Sequence, residues 1–440
     1  MDRLKSAFSS QRYFGILTGA ASGLLARGLT LAFGLLAVNL LLPYLGPERF
    51  GAWAVITTLQ IWLQLADFGL PAGANNPLVS ALSRNDARKA RQLVLNPIVF
   101  IAIVGAMLFC AFSVLICIGT FESYIAFSTA AIKQEFSQAV LIGVGLTMLS
   151  IPNSVVNKAL AVQHKGATAN LWVSIGQVAA IGGLIVSARW QLDTVWLTSM
   201  TTGSIALSSL CCTFNFYLRN PKFRPLHGDL SLLSMSDLWR VSASYSALQI
   251  SGMLLLNSAI FIVTLALSPT AAAVFAATSR LTSLCTFFAQ LASPYFWVSY
   301  SHAIAQSEYH WLRVAFGRQL ALSVGTTLIL GLLLSAFGPT VILWWTSGSI
   351  KPDVSLLLWL LAWQLVVAVM NPISSLLSAY EKYGLQTLTS FSAGVVAVLV
   401  SYSLAPKYGA ASVVAATTLA YVLIVFVPVS IQARKVLRLS

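Results

Sequence analysis

Apolar runs of about twenty residues recur along the whole chain, and they restrict it to one class of fold. Such a run is long enough to cross the roughly 30 Å hydrocarbon core of a bilayer as a helix. Membrane β-strands would be about ten residues long and would alternate polar with apolar positions, which these runs do not. Of the 440 residues, 58% are hydrophobic and 9% are charged, against about 25% charged in soluble domains. We therefore predict an all-α polytopic membrane protein.

Twelve such runs are separated by short polar connections. The first and the eighth are longer than a bilayer requires, so we expect them to tilt or to extend into the interface. The predicted spans are residues 14–45, 50–70, 93–119, 138–160, 168–188, 194–218, 241–267, 271–300, 319–338, 354–379, 385–404 and 409–430.

Lysine and arginine are divided unequally between the two sets of connections. An even number of spans places both termini on one side, and that side carries 19 of these residues. The other side carries only Arg49, Lys133, Arg189, Lys351 and Lys407. Cytoplasmic loops are enriched in Lys and Arg in this way, so both termini are predicted to be cytoplasmic. Because the basic residues are spread over short loops, the net charge of +14 does not indicate nucleic-acid binding.

The two halves of the chain resemble each other at an offset of about 222 residues. Leu45-Gly46-Pro47 aligns with Leu267-Ser268-Pro269, and Pro152 can be set opposite Pro372. The longest inner connection, 219–240, lies between the two copies, so we predict six-helix halves at 1–218 and 241–440 joined by a cytoplasmic linker. Parallel repeats of this kind usually enclose a central cavity. The alternative is that any two six-span segments show some chance similarity.

The stretch Leu45–Val94 combines a polar turn, an apolar span and a basic loop. Its one intramembrane carboxylate, Asp67, lies about 24 Å from the outer edge of the span by helical rise. Arg27 in the neighbouring span lies at a similar depth, about 27 Å. The two residues are therefore candidates for an ion pair. The alternative is that Arg27 extends to the interface and that Asp67 caps a break at Gly69-Pro71.

Arg280 is the charge that is hardest to explain structurally. It lies only about 15 Å into its span, where a charge is costly unless it faces a partner or a wet cavity. Thr278, Ser279, Thr282 and Ser283 surround it with hydroxyl groups. A guanidinium suits bidentate binding of a phosphate or carboxylate. The residue therefore predicts an anionic ligand or a buried carboxylate partner, and the alternative is a structural hydrogen-bonding role.

Other polar groups within the spans have two possible roles. Buried amides more often join helices, but they also suit a sugar path, and tryptophans such as Trp53 serve as interface anchors or as stacking faces for sugars. Pro152 and Pro372 are expected to kink or break their helices. The amide residues are Gln60, Gln64, Gln177, Gln249, Asn257, Gln290 and Gln364.

Several stretches resemble parts of a known protein family. The run LGPERFGAWAVITTLQIWLQLADFGL resembles the second helix of the polysaccharide and O-antigen flippases, which belong to the multidrug/oligosaccharidyl-lipid/polysaccharide (MOP) exporter superfamily. VFAATSRLTSLCTFF resembles the eighth helix of that family, which often carries an arginine after small residues. ALAVQHKG and SAYEKYG resemble the ends of its fourth and tenth helices. The resemblance implies a MATE-like fold of twelve helices in two halves.

The resemblance also implies a function in surface-polysaccharide biosynthesis. A bacterial inner-membrane flippase would move an undecaprenyl-pyrophosphate-linked oligosaccharide outward by alternating access, coupled to H⁺ or Na⁺ and without another cofactor. Arg280 and Arg27, with Gln60 and Gln290, would then bind substrate. Asp67, Pro152 and Pro372 would serve coupling or gating. Expected partners are the substrate, membrane lipids and other polysaccharide-assembly proteins.

Three alternatives remain open from the sequence. An antiporter for cationic drugs would need an acidic cavity, and the spans hold very few acids. An integral-membrane enzyme of glycan assembly would have a large outer loop, whereas the longest here is Thr120–Ser137. The third alternative is a scaffold for the glycan machinery. We predict a transporter rather than an enzyme.

The topology can be tested with reporter fusions. Alkaline phosphatase fused after Lys133 is expected to be active, because that loop is predicted to lie outside, whereas fusion after Lys222 should give an inactive enzyme. A fluorescent protein at the C-terminus should fold and fluoresce in the cytoplasm. Strong phosphatase activity after Lys222 would overturn the orientation.

Overall fold

A computed structural model describes residues 2–119, 125–163, 165–226, 228–230, 236–380, 382 and 384–439. Throughout these ranges the regular structure is helical and contains no strand. This confirms the all-α class. In hydrocarbon a helix satisfies its backbone hydrogen bonds within itself, which is why a chain of apolar runs takes this form.

Fifteen α-helices carry the labels used below. They are α1 (Asp2–Leu63), α2 (Leu70–Gly73), α3 (Asn75–Ser83), α4 (Ala87–Cys117), α5 (Ala130–Ser150), α6 (Asn153–Val162), α7 (Gly166–Arg189), α8 (Thr194–Arg219), α9 (Ser236–Ala266), α10 (Pro269–Ala305), α11 (Tyr309–Trp345), α12 (Val354–Ala379), α13 (Gly384–Tyr408), α14 (Ala410–Tyr421) and α15 (Val427–Leu439). A 3₁₀ turn, Gln64–Asp67, follows α1, and a π-helix, Val422–Phe426, joins α14 to α15.

The predicted spans correspond to helices. Among the described residues, nine helical segments are long and apolar enough to cross a membrane, or ten when the two parts of α9, bent by 43°, count as one. The first of these segments, Ala21–Ser83, covers two predicted spans. The break between them is at Gly46, which has a positive φ of 74° within α1. Helix α10 has 37 residues, about 55 Å at 1.5 Å per residue, which is ample for one further span.

Short polar residues set several helix starts. The side chains of Asp86, Asp193 and Asp353 each accept the backbone N–H three residues later, at 2.9, 2.9 and 3.1 Å. Thr129 makes the same contact at 3.3 Å. Such caps satisfy N–H groups that the first helical turn leaves without a partner. They explain why the helices start in the polar connections.

By internal packing the chain forms two compact units. The first comprises Met1–Tyr44 and Ile56–Gln249, and the second comprises Leu45–Val55 and Ile250–Ser440. The predicted halves, 1–218 and 241–440, stay a prediction. Within the linker predicted at 219–240, the structure places Phe223 in a buried position and α9 begins at Ser236.

Small residues let helices of the first unit approach closely. A Cβ at Gly176 would lie 3.0 Å from the side chain of Ser208, and one at Gly183 would lie 3.0 Å from that of Met200. Both pairs join α7 to α8. Close backbone approach through small residues is a main source of attraction between membrane helices, because lipid offers no hydrophobic driving force.

The core of the second unit joins α9, α10, α12 and the segment around the π-helix. Leu255, Tyr300, Leu376 and Val425 lie in one cluster and are almost fully buried. Tyr300 keeps its hydroxyl satisfied by donating to Gln319 Oε1 at 2.5 Å. A buried tyrosine requires such a partner.

The two prolines predicted to disturb helices behave differently. Pro152 lies in the turn between α5 and α6, so the helix breaks there as predicted. Helix α12 instead continues through Pro372. Proline lacks an N–H, which removes the usual donor to the carbonyl four residues earlier. That carbonyl, Ala368 O, accepts the Ser323 hydroxyl of α11 at 2.7 Å, so α11 supplies the missing hydrogen bond.

Arg91 of α4 anchors the connection between α8 and α9. Arg91 Nε donates to Asp229 Oδ2 at 2.6 Å, and Asp229 also accepts the N–H of Leu226 at 2.9 Å. The Arg91 hydrogen bond lowers the pKa of Asp229 below its usual value. Asp229 therefore stays ionised at neutral pH, and the contact should weaken only when pH falls through that depressed pKa.

The tightest helix contact in the second unit involves Gly51. A Cβ built there would lie 1.7 Å from the carbonyl oxygen of Pro269 and 3.2 Å from the N of Ala273. Only glycine permits this approach between α1 and the first turn of α10. The neighbouring residues Phe50 and Trp53 are fully buried beside it.

Gly51→Ala should destabilise the protein, because a methyl group cannot fit against a backbone carbonyl. Overpacking of this kind costs about 1–3 kcal/mol. Gly252→Ala is the matched control, since a Cβ there meets nothing within 4 Å and alanine favours helix by up to about 1 kcal/mol. Thermal unfolding of the purified protein in detergent measures both. An unchanged melting temperature for Gly51→Ala would contradict the contact.

Candidate functional site

Arg280 and Trp53 meet within the second unit. The guanidinium carbon lies 5.5 Å from the centroid of a Trp53 ring, within the range of a cation–π contact. Trp53 is 1% exposed, and Arg280 is partly buried. The tight contact at Gly51, two residues earlier, fixes the helix that carries the ring. The indole therefore holds the cation in place without neutralising its charge.

Hydroxyl groups line α10 next to Arg280. Thr278 and Thr282 are fully buried and donate to carbonyls of their own helix, Val274 O at 2.7 Å and Thr278 O at 3.1 Å. Ser283 donates to the carbonyl of Arg280 at 2.7 Å. The oxygen atoms of these side chains remain acceptors as well as donors. They provide a polar strip along a helix that is otherwise apolar.

One turn further along, two predicted glutamines take part in the same hydrogen-bond chain. Thr286 Oγ1 donates to Gln364 Oε1 of α12 at 2.8 Å, and Gln290 Nε2 donates to Thr286 Oγ1 at 3.1 Å. Gln364 is buried and joins two helices, whereas Gln290 is exposed. Gln290 can therefore reach a ligand, and Gln364 acts mainly as a helix contact.

The predicted span Phe50–Leu70 does not remain α-helical to its end. Helix α1 stops at Leu63, a 3₁₀ turn covers Gln64–Asp67, and Phe68 and Gly69 have positive φ values of 49° and 64°. Asp67 Oδ1 accepts the N–H of Gly69 at 2.8 Å. The carboxylate thus stabilises the break.

The ion pair considered between Arg27 and Asp67 does not form among the described residues. Arg27 has an exposed side chain on the first part of α1. The alternative expectation, in which Asp67 caps the break, describes the observed contact. A backbone N–H two residues away competes better for the carboxylate than a long side chain on another helix segment, which would lose more conformational entropy.

Close packing holds the broken segment against α9. A Cβ at Gly69 would lie 2.9 Å from the carbonyl of Ser242, and one at Gly73 would lie 2.2 Å from the Ser242 hydroxyl. Phe68 and Trp239 meet Phe100 edge-to-face, with ring centroids 6.0 and 5.0 Å from it. The break is therefore built into the first unit rather than being a frayed helix end.

The predicted positions Gln60, Pro152 and Pro372 lie elsewhere in the fold, and their predicted roles stay predictions. Gln60 Nε2 donates to Thr202 Oγ1 of α8 at 3.0 Å. Pro152 lies at the α5–α6 turn, and Pro372 lies inside α12. The described part of the chain contains no group of three or more His, Cys, Asp or Glu residues that could hold a metal ion.

Two residues of this site were not assigned from the sequence. The only local signal for the role of Gly51 is the run Ala271-Ala272-Ala273, a helix face made for close approach. Trp53 was considered only as an interface anchor or a sugar-stacking ring. Its contact with Arg280 joins segments more than 200 residues apart, which no local pattern reveals.

Comparisons with known proteins give a fold but no sequence family. The sequence matches no protein-family model and no curated protein. The structure is similar to the inward-facing conformation of a multidrug resistance MATE family transporter of the MOP superfamily, with a TM-score of 0.74 and 15% identity over 94% of this chain and 95% of that chain. The outward-facing conformation of such a transporter gives a TM-score of 0.64 and 15% identity over 96% and 95%.

A third solved structure is a MOP superfamily transporter from Pyrococcus furiosus. It has a TM-score of 0.65 and 16% identity over 96% of this chain and 95% of that chain, and it is described as having a binding pocket of reverse polarity that suggests a different function. These likenesses show that the chain has the fold of MATE transporters. The predicted MATE-like architecture is confirmed.

Asp67→Ala and Asp67→Asn separate capping from charge. Loss of a capping acceptor costs about 0.5–2 kcal/mol, so the alanine variant should unfold at lower temperature. The asparagine variant keeps an oxygen acceptor for the Gly69 N–H and should stay close to the wild type. Thermal unfolding in detergent measures both. If the two variants lose the same stability, the charge of Asp67 matters and the cap does not explain it.

Proposed function

We propose that this multi-pass membrane protein, which has the fold of MATE transporters, moves a lipid-linked oligosaccharide across the bacterial inner membrane. The observation that carries the proposal is the Arg280 guanidinium, about 16 Å along α10 from Pro269 by helical rise and backed by the Trp53 ring at 5.5 Å. The substrate class we favour is an undecaprenyl-pyrophosphate-linked repeat unit used in surface-polysaccharide biosynthesis.

A fixed cation at this depth suits a substrate with a pyrophosphate. Transfer of a phosphate charge from water into a low-dielectric region is very costly unless an opposite charge meets it there. Arginine binds phosphate oxygens through two parallel N–H donors and stays protonated. The indole of Trp53, 5.5 Å from the guanidinium carbon, limits the positions that the guanidinium of Arg280 can take. Less ordering is then required when the substrate binds.

The neighbouring polar groups have subsidiary roles in this proposal. The exposed amide of Gln290 and the hydroxyls of α10 would contact the sugar or the phosphate. Gln60 and the exposed Arg27 are also proposed to bind substrate. Asp67 and the proline positions Pro152 and Pro372 would serve coupling or gating of alternating access.

Coupling, orientation and partners also belong to the proposal. Asp67 is a partly buried carboxylate at a helix break, the kind of position where transporters bind coupling ions, so H⁺ or Na⁺ would drive transport. Both termini would lie in the cytoplasm. Other proteins of polysaccharide assembly would supply the substrate and remove it.

A multidrug antiporter is the second candidate, because solved structures with this fold include multidrug resistance transporters. The same fold also occurs with a pocket described as having reverse polarity. The sign of the charge at the site therefore distinguishes the functions. A cationic drug would be repelled by Arg280, whereas a pyrophosphate would be attracted.

Arg280→Ala should lower surface-polysaccharide export by about 10- to 100-fold, which corresponds to a lost charge-assisted hydrogen bond of roughly 1.5–3 kcal/mol. Arg280→Lys should retain part of the activity, because the charge remains and the bidentate geometry is lost. Arg189→Ala, at the exposed end of α7, is the matched control. Complementation of a deletion strain and leaflet translocation in proteoliposomes measure the effect.

Three results would contradict the proposal. Export at the wild-type level by Arg280→Ala at equal expression would remove Arg280 from the site. Equal loss in Arg189→Ala would indicate a general effect of charge. Lower accumulation of cationic drugs in cells that produce the wild-type chain, with no effect on polysaccharide, would favour the antiporter.

A further inference from the structure

We propose that a groove formed by α12, α13 and α14 is a binding site for the acyl chain of an anionic phospholipid. The groove belongs to the second unit and has a volume of about 580 Å³. Its walls include Trp359, Val396, Val400 and Leu419. It does not include Arg280 or the hydroxyls of α10, so the inference is independent of the transport proposal.

The lining identifies the chemistry of the occupant. Leu419 and Leu423 are 52% and 70% exposed, and both lie in a segment apolar enough to cross a membrane. At that depth the exposed face meets hydrocarbon rather than water. An extended peptide could not fill the groove there without leaving its own backbone groups without partners. A flexible hydrocarbon chain has no such requirement.

A local change of helix type shapes one end of the groove. The chain passes from α14 into the π-helix Val422–Phe426 before α15, and Leu423 and Ile424 of this segment line the groove. A π-helical turn contains an extra residue and often marks a functional site. From Ala411 to Ile424 the groove follows about 20 Å of helix. It is thus an extended channel suited to a chain rather than a compact pocket.

Polar and cationic residues gather at the opposite end. Ser355, Tyr408 and Ser412 line the groove there, near the ends of α12, α13 and α14. Lys407 precedes Tyr408 directly, and Lys351 lies four residues before Ser355. Both lysines have exposed side chains. Exposed lysines this close in sequence to the polar end of the groove complement the phosphate of a headgroup whose acyl chain lies inside it.

The charge distribution favours an anionic lipid over a zwitterionic one. Each lysine close to a membrane surface adds roughly a fivefold preference for anionic lipid. On the side predicted to be extracytoplasmic, Lys351 and Lys407 account for two of five basic residues, and each lies within four residues of a residue that lines this groove. The headgroup is therefore placed at the 351–355 and 407–412 rim.

A photoactivatable phosphatidylglycerol with a diazirine on its acyl chain tests the site on the full-length protein in detergent. Peptide mapping should locate the label on residues of α13, α14 and the π-helix. Ala415→Trp, which fills the groove with an indole, should reduce that label at least about fivefold, as expected when a chain is excluded by volume. Ala106→Trp is the matched control, because Ala106 lies on an exposed face of α4 outside this groove.

A second variant keeps the test valid if Ala415→Trp does not fold. Lys351→Gln with Lys407→Gln changes only exposed residues. It should reduce the preference for phosphatidylglycerol over phosphatidylcholine, measured by native mass spectrometry, by more than tenfold if each lysine contributes about fivefold. An unchanged preference would overturn the headgroup assignment. Label spread evenly over the lipid-facing helices, or unaffected by Ala415→Trp in a folded protein, would overturn the groove.

Discussion

Backbone hydrogen bonding in hydrocarbon is the constraint on which this structure depends. Within the described residues the apolar runs are helical, and protein groups supply hydrogen bonds at two departures from the regular α-helix. Ser323 supplies the hydrogen bond that Pro372 removes. Asp67 accepts the Gly69 N–H where α1 gives way to a 3₁₀ turn and two residues of positive φ. Such departures are costly unless protein groups supply the missing hydrogen bonds. Asp67 and Pro372 are both positions for which a function is proposed.

The same scarcity of polar partners gives the candidate site its character. Arg280 lies on a helix whose hydroxyls are mostly occupied by their own backbone, and its guanidinium faces the ring of Trp53. An aromatic face holds a cation in position without cancelling its charge. The close approach of Gly51 to Pro269 keeps that face in register. Substrate charge, rather than a shape shared by MATE folds, would then decide what is carried.

The second unit carries two proposed sites on separate surfaces, one for the substrate and one for a lipid. The strip on α10 is polar and carries a guanidinium, whereas the groove of α12, α13 and α14 is lined mainly by apolar residues. The π-helix Val422–Phe426, whose turn contains one extra residue, forms one end of that groove. Bound lipid at this place would stabilise the helices that pack around the core at Val425.

The sequence by itself determined the class of fold, the positions of the spans and the identity of the unusual charges. Those features depend on local hydrophobicity and on the cost of a charge in hydrocarbon, which act residue by residue. The tertiary structure decided the partners. It showed that Asp67 caps its own break rather than pairing with Arg27, that Gln364 is a helix contact while Gln290 remains exposed, and that Trp53 lies beneath Arg280. These contacts join segments distant in sequence, and their geometry follows from helix packing that no local pattern specifies.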